Sequence, residues 1–265
     1  MKIIESPENK RIKEIIKLKK GVKRKAADSF LIDGEREIDI ALREKIKIQE
    51  IFYCPDLAHK KNSKISKEFL KQKTTFVSEA VFNKISYKEN PDGVIALAQK
   101  YQSSLENIKI KKPALVIVLE GIEKPGNLGA IIRTAVAAGA DLIITTETKI
   151  DFFNPNVIRA SEGLIFSIPL ISCNNQEAYD WLKLNNINSF AAAIQAPSNY
   201  LDLDLTDNSA IVLGSEAKGL GKFWLKKANK SLKIVMEKNI DSLNLSVSVA
   251  IIIFEALRQR RVKGR

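Results

Sequence analysis

Three stretches of this 265-residue chain set glycines and polar side chains directly after apolar runs. The first reads Leu119-Glu120-Gly121-Ile122-Glu123-Lys124-Pro125-Gly126-Asn127-Leu128-Gly129-Ala130-Ile131-Ile132-Arg133-Thr134-Ala135. This pattern predicts a buried strand, a glycine-bearing turn and a helix that Asn127 would cap. Gly126 and Gly129 would admit a ligand or simply a neighbouring backbone. Arg133 interrupts an otherwise apolar helix. The second stretch, Ile211-Val212-Leu213-Gly214-Ser215-Glu216-Ala217-Lys218-Gly219-Leu220-Gly221, repeats the transition. Glu216 can orient a ligand there, or favour a helix N-terminus electrostatically. The third runs from Ile234-Val235-Met236 through Ser242-Leu243-Asn244 into the apolar run Val249–Phe254. Ser242 or Asn244 would cap that helix, and its apolar surface suits either core or a subunit interface.

Several familiar chemistries fail on spacing. Gly121 and Gly126 stand five apart, so the dinucleotide pattern G-x-G-x-x-G is not met. Leu220-Gly221 follows Gly219, where a Walker A loop needs Lys-Ser/Thr. The single histidine, His59, lies in Asp56–Lys61, which reads as a polar loop, so a Ser-His-Asp triad and a two-histidine metal site are both disfavoured. Cys54 and Cys173 are too few for a disulfide framework or a zinc ribbon, and no metal-binding constellation is expected. A reducing cytoplasm fits this usage. No apolar run approaches the roughly 20 residues of a membrane helix, and the first residues lack a secretory pattern.

Lys and Arg number 43 against 31 Asp and Glu, a formal net charge of +12. The excess is clustered. Residues 1–29 hold ten basic side chains against four acidic ones. Such clustering favours a polyanionic partner, because each cation meeting a phosphate releases a condensed counterion. The candidate RNA contacts are Lys10, Arg11, Lys19, Lys20, Lys23, Arg24 and Lys25.

The elements that must carry these residues fall into two halves. Residues 1–103 read as a small α/β domain. It has an amphipathic helix over 6–20 capped by Ser6 and stopped by Gly21, a strand at Phe30–Ile32 and a helix Glu35–Arg43. A strand Ile46–Tyr53, a helix Lys64–Gln72 and a strand Val94–Ala98 complete it. Residues 104–113 lose periodicity, end at Pro113 and read as a linker. In 114–265, short apolar runs at 115–119, 142–145, 168–171, 190–194, 211–213 and 232–236 alternate with helical segments. The helices are expected near 127–138, 156–163, 175–185, 221–229 and 245–259. This alternation predicts an α/β fold: a mainly parallel sheet with helices on both faces. Strand ends of such a sheet gather on one edge, where ligands bind.

Taken together, the three stretches resemble the SpoU-type RNA 2′-O-ribose methyltransferases of the knotted SPOUT superfamily. The pattern N-x-G-x-x-x-R-T-A is matched from Asn127 to Ala135, G-[SA]-E-x-x-G-[LM] from Gly214 to Leu220, and S-L-N-x-S-x-[SA]-x-A from Ser242 to Ala250. Asn154–Gly163 is similar to the family segment N-P-x-x-x-R-A-S-x-G. The first half resembles the ribosomal-protein-like substrate-binding domain of rRNA-directed members, notably at Phe30–Glu37, which adds Arg36 to the candidate RNA contacts. Two departures stand out: Val235 where the family has proline, and Lys238 where it has glycine.

The resemblance implies methyl transfer from S-adenosylmethionine to a ribose 2′-hydroxyl of structured RNA. It implies that Gly214, Ile234, Met236 and Leu243 line the cofactor pocket with Ser242 and Asn244. Arg133, Asn127, Glu216, Ser242 and Asn244 would form the catalytic rim. It also implies a homodimer and a deep trefoil knot, which periodicity and spacing cannot show and which the rarity of knots weighs against. The preceding domain favours 23S ribosomal RNA over transfer RNA. A transfer-RNA enzyme and a non-catalytic RNA-binding relative are the alternatives. The proton acceptor could be the arginine, a phosphate oxygen or water.

Overall fold

The computed structural model describes residues 3–60, 69, 71–237 and 242–264. The chain forms two compact units, Met1–Gln102 with Asp151–Ser167, and Ser103–Ile150 with Ile168–Arg265. The sequence pattern assigns all of 114–265 to one domain; residues 151–167 instead cluster with the first unit. The reason is visible in their contacts within that unit. Phe153 packs on Phe30 with ring centroids 4.4 Å apart, and Asp151 accepts a 2.7 Å hydrogen bond from the Arg24 guanidinium.

The first unit is built on a five-stranded mixed sheet in the order β1-β4-β3-β5-β2. The strands are β1 (Ile3–Ile4), β2 (Ser29–Asp33), β3 (Ile48–Tyr53), β4 (Thr74–Val77) and β5 (Val94–Gln99). The helix Lys10–Leu18 buries Ile12 and Ile15 in the core and turns its lysines outward. Its cap is Asn9, whose side chain accepts from the Arg11 N–H, rather than Ser6. Gly21 opens the next helix, Gly21–Ala26, instead of ending the first. The helix Glu35–Arg43 falls where its pattern places it. Residues 55–60, which read as loop around His59, form a short helix begun by Pro55. Strand β4 and the helix Glu79–Ile85, capped by Ser78, are additions that the sequence pattern does not expose. The expected helix over 64–72 lies largely outside the described residues.

The second unit carries a seven-stranded sheet, order β10-β12-β9-β11-β6-β7-β8, in which every pairing is parallel. Its strands are β6 (Leu115–Glu120), β7 (Leu142–Thr146), β8 (Leu170–Cys173), β9 (Asn188–Ala192), β10 (Ser198–Asn199), β11 (Ser209–Leu213) and β12 (Lys230–Lys233). All six residues of β6 and all five of β11 are buried. Successive strand residues point to opposite faces, so both faces of the sheet centre are covered. The helices are Pro125–Ala137, Asn175–Leu184, Lys222–Lys227 and Leu245–Val262.

Register sets up the site. Leu213 of β11 pairs with Leu119 of β6, and Ala192 of β9 pairs with Leu232 of β12. The chain therefore leaves the sheet at Gly121, Ala193, Gly214 and Ile234 along one carboxyl edge. The apolar run 232–236 is a strand only through Lys233; Ile234–Met236 depart from the sheet toward the site. At the far end of the helix Leu245–Val262, buried Arg260 donates to the carbonyls of Pro113, Ala114, Leu205 and Asp207. That fork fixes the helix against the opposite ends of the strands.

Candidate active site

The carboxyl edge of the parallel sheet holds a cleft of about 420 Å³. Of the residues named for the cofactor pocket, Gly214, Ile234, Met236, Ser242 and Leu243 line this cleft, and Asn244 does not. Apolar walls come from Leu213, Leu225, Leu232, Leu245 and Ile252. Residues Ala192–Gln195 complete one side. They escape sequence reading because the run 190–194 is wholly apolar and the single Gln195 after it forms no motif.

The loop after β11 is folded on itself. The Gly219 N–H donates to the Ser215 carbonyl at 2.8 Å, and the Lys218 N–H to Ser215 Oγ. A Cβ on Gly214 would sit 2.0 Å from the Gly219 carbonyl carbon, so only glycine permits this crossing of two backbones. Gly219 turns the loop with φ +64°.

Beside the first cleft lies a second, of about 210 Å³, lined by Ile122, Lys124, Asn127, Ser215, Glu216 and Leu245 among others. Glu216 borders both clefts. Its Oε1 accepts from Asn127 Nδ2 at 2.5 Å and from Asn244 Nδ2 at 3.0 Å. Its Oε2 meets Lys124 Nζ at 2.7 Å. The Lys124 hydrogen bond, with Asn127 adding to it, holds the Glu216 carboxyl below the ordinary carboxylate range. The same bond raises the Lys124 ammonium. Lys124 escapes sequence reading, because a lone lysine before Pro125 carries no pattern.

The two asparagines play different parts. Asn244 caps the helix Leu245–Val262 through its Oδ1, which accepts from the Ser246 N–H at 2.9 Å. It thereby ties that helix to Glu216. Asn127, expected as a cap, lies instead in the first turn of the helix Pro125–Ala137, which follows Lys124 at the cap position. Freed from capping, its amide donates to Glu216. Ser242 is exposed at the cleft edge. Arg133 is exposed on the same helix as Asn127, outside the linings of both clefts. The Val235 departure leaves that residue exposed, while Lys238 lies outside the described residues.

The candidate RNA contacts divide within the first unit. Lys10, Lys20, Lys23 and Lys25 are exposed. Arg36 is exposed and pairs with Glu162 at 2.5 Å. Arg11 is bound to Glu50 and Glu14. Lys19 donates to the carbonyls of Lys84 and Ser86. Arg24 is a correction: 5% exposed and paired with Asp151, it serves the interior of the unit, not a surface phosphate.

A parallel α/β sheet with a glycine-cornered cleft and a polar cluster at its carboxyl edge defines a small-molecule-binding catalytic unit. The chain belongs to the SpoU rRNA methylase family, whose profile matches residues 114–254, and residues 9–96 match the MRM3-like substrate-binding domain. It is 28% identical over 255 residues to the 23S rRNA (guanosine(2553)-2′-O)-methyltransferase RlmP of Bacillus subtilis, covering 96% of this chain and 98% of that protein. Among solved structures, an RNA 2′-O ribose methyltransferase superposes with TM-score 0.84 at 37% identity, covering 98% of this chain and 100% of the other. The AdoMet-bound rRNA methyltransferase of Sinorhizobium meliloti superposes with TM-score 0.86 at 28% identity, covering 97% of each chain.

Proposed function

We propose that this protein transfers a methyl group from S-adenosylmethionine to a ribose 2′-hydroxyl of 23S ribosomal RNA. The observation that carries the reading is the cleft at the sheet edge, with the Glu216 cluster against it. The cavity suits the cofactor on three grounds. Its size falls within the range of roughly 300–1,000 Å³ typical of small-molecule sites. Its walls are mostly aliphatic, with backbone at Gly214 and Ile234–Met236 to meet the polar edge of a purine. The Gly214 crossing leaves no room for a side chain, so the loop that walls the cleft closes backbone against backbone. Gly214, Ile234, Met236, Ser242 and Leu243 would hold the group, which supplies an electrophilic methyl on a sulfonium when bound.

The remaining chemistry is positioning and proton handling. Glu216 orients the Asn127 amide, so that residue meets the ribose in one fixed orientation. Asn244 carries the same constraint to the helix Leu245–Val262. Arg133 clamps an RNA phosphate next to the target and eases charge developing on the 2′-oxygen, which leaves a phosphate oxygen or water to take the proton. Incubation with methyl-labelled S-adenosylmethionine and unmodified 23S ribosomal RNA should place label in the RNA. Absence of transfer would reject the reading. The relatives' substrates favour ribosomal over transfer RNA, and the protein would act in the cytoplasm. No described helix is long and apolar enough to cross a membrane. The family resemblance also carries a deep trefoil knot in the second unit.

RNA is held by the lysine-rich surface of the first unit. Ile12 and Ile15 are core residues, so the basic segment cannot be deleted without exposing that core. The charge is better removed in place. Lys10, Lys17, Lys20 and Lys23 changed together to Gln should weaken RNA binding and reduce the slope of log K against log salt by up to about 3. An unchanged slope would show that these lysines do not meet phosphate.

A homodimer is supported by Val247 and Phe254, 46% and 45% exposed on a helix that buries Leu245, Val249, Ile252 and Ile253. Sedimentation should give twice the 29.6 kDa chain mass. Phe254→Glu should give a folded monomer, whereas Leu245 and Ile252 line the cleft and cannot test the interface. A monomer in the unmodified protein would contradict the dimer.

A further inference from the structure

The loop Gly214–Leu220 supplies much of the cofactor cleft, and its near end follows directly on Leu213, the last residue of β11. Its far end is held by a buried carboxylate that lines neither cleft. Glu120, the last residue of β6, is 8% exposed. Its Oε2 accepts the Gly221 N–H at 2.5 Å. Its Oε1 accepts from Asn175 Nδ2 at 2.8 Å. Asn175 Oδ1 in turn accepts from the indole N–H of fully buried Trp224 at 2.8 Å. A Cβ on Gly221 would lie 2.9 Å from the Glu120 carboxylate, so the glycine is what allows the approach.

The chain of bonds has a direction. An indole N–H can only donate, so Asn175 must turn its oxygen to Trp224 and its amide nitrogen to Glu120. The main-chain N–H of Gly221 also can only donate. Residue 120 therefore faces two donors and must accept with both oxygens. Glutamine has one acceptor and one donor, so it satisfies one neighbour and opposes the other.

We propose that Glu120 is a positioning residue for the cofactor loop, fixed by Asn175 and Trp224 and acting on the cleft through Gly221. This rests on the cleft being the S-adenosylmethionine site. The role is one of geometry: the two ends of the loop are tied to neighbouring strands of one sheet, so the Gly214 crossing keeps its shape before ligand arrives.

The direction of the bonds provides the test. In E120Q the new amide nitrogen faces the Asn175 nitrogen. In N175D two carboxylates face each other. In the double variant E120Q/N175D the carboxylate now at position 175 accepts from both Trp224 and the amide nitrogen at position 120. The amide oxygen at position 120 still accepts from Gly221, so every bond is restored with the charge moved. Calorimetry with S-adenosylhomocysteine, thermal melting and methyl transfer at saturating cofactor would be measured on each. We expect each single variant to bind about tenfold or more weakly, with turnover at saturating cofactor nearly kept. The double variant should return to within about threefold of the unmodified protein. G221A, which strains the same contact from the loop side, should reproduce the affinity loss. Lowered melting with unchanged affinity in E120Q and G221A, or a double variant no better than the singles, would overturn the proposal. Failure of the unmodified protein to bind would overturn the cofactor reading itself, and this proposal with it.

Discussion

Arg133→Ala should lower methyl transfer about a hundredfold or more, since a lost charge-stabilising donor typically costs about 3 kcal/mol. Cofactor affinity should stay close to that of the unmodified protein, because Arg133 lines neither cleft. Six residues separate it from Asn127 on one helix, a rise of about 9 Å. That offset suits contact with the RNA backbone beside the ribose better than contact with the cofactor. An arginine is also a poor proton acceptor, since its guanidinium stays protonated at any physiological pH. Its value lies in a planar fork that grips phosphate with two parallel hydrogen bonds. Arg133→Lys keeps the charge and loses the fork, so it should recover little. Near-normal turnover in Arg133→Ala would remove the residue from the mechanism.

The second large effect is expected at Gly214. Its added Cβ in Gly214→Ala would meet the Gly219 carbonyl carbon and oxygen at 2.0 Å and the Leu220 nitrogen at 2.3 Å. These are backbone atoms and cannot swing away. The loop must open, and it forms one wall of the cleft proposed for the cofactor. Overpacking of this kind costs about 1–3 kcal/mol, so affinity for S-adenosylhomocysteine should fall by about ten- to a hundredfold. Gly219→Ala is the informative contrast. Gly219 needs the left-handed conformation, but its Cβ would meet nothing within 4 Å. That variant should carry the strain of about 1–2 kcal/mol mainly as lost stability. Calorimetry and melting of the two variants separate the cases. Equal cofactor affinity in Gly214→Ala and the unmodified protein would contradict the assigned role of the crossing.

How far the sequence reaches depends on the kind of signal. The parallel sheet is legible because its strands are continuous apolar runs, and β6 and β11 are buried throughout. The cleft residues Gly214, Met236 and Leu243 are reached through motif order, not through any periodicity. The Asn127 cap fails for a local reason. Lys124-Pro125 starts the helix earlier, since proline suits the first helical position. The membership of residues 151–167 in the first unit is hidden, because the contacts that decide it, Arg24 with Asp151 and Phe30 with Phe153, join residues far apart in the chain. Arg24 misleads for the same reason: an arginine in a basic run looks solvated until its partner is known. Lys124 meets Glu216, and Glu120 meets Asn175 and Gly221, all far along the chain, and no spacing rule exposes these contacts.

Methyl transfer to the ribose oxygen is tested most directly on the RNA itself. Unmodified 23S ribosomal RNA would be incubated with the protein and methyl-labelled S-adenosylmethionine, then digested with alkali. Alkaline cleavage needs a free 2′-hydroxyl, so a 2′-O-methylated linkage survives. The label should appear in alkali-resistant dinucleotides, and Arg133→Ala should lose nearly all of it. Label recovered in mononucleotides, carried on a base, would contradict the reaction assigned here.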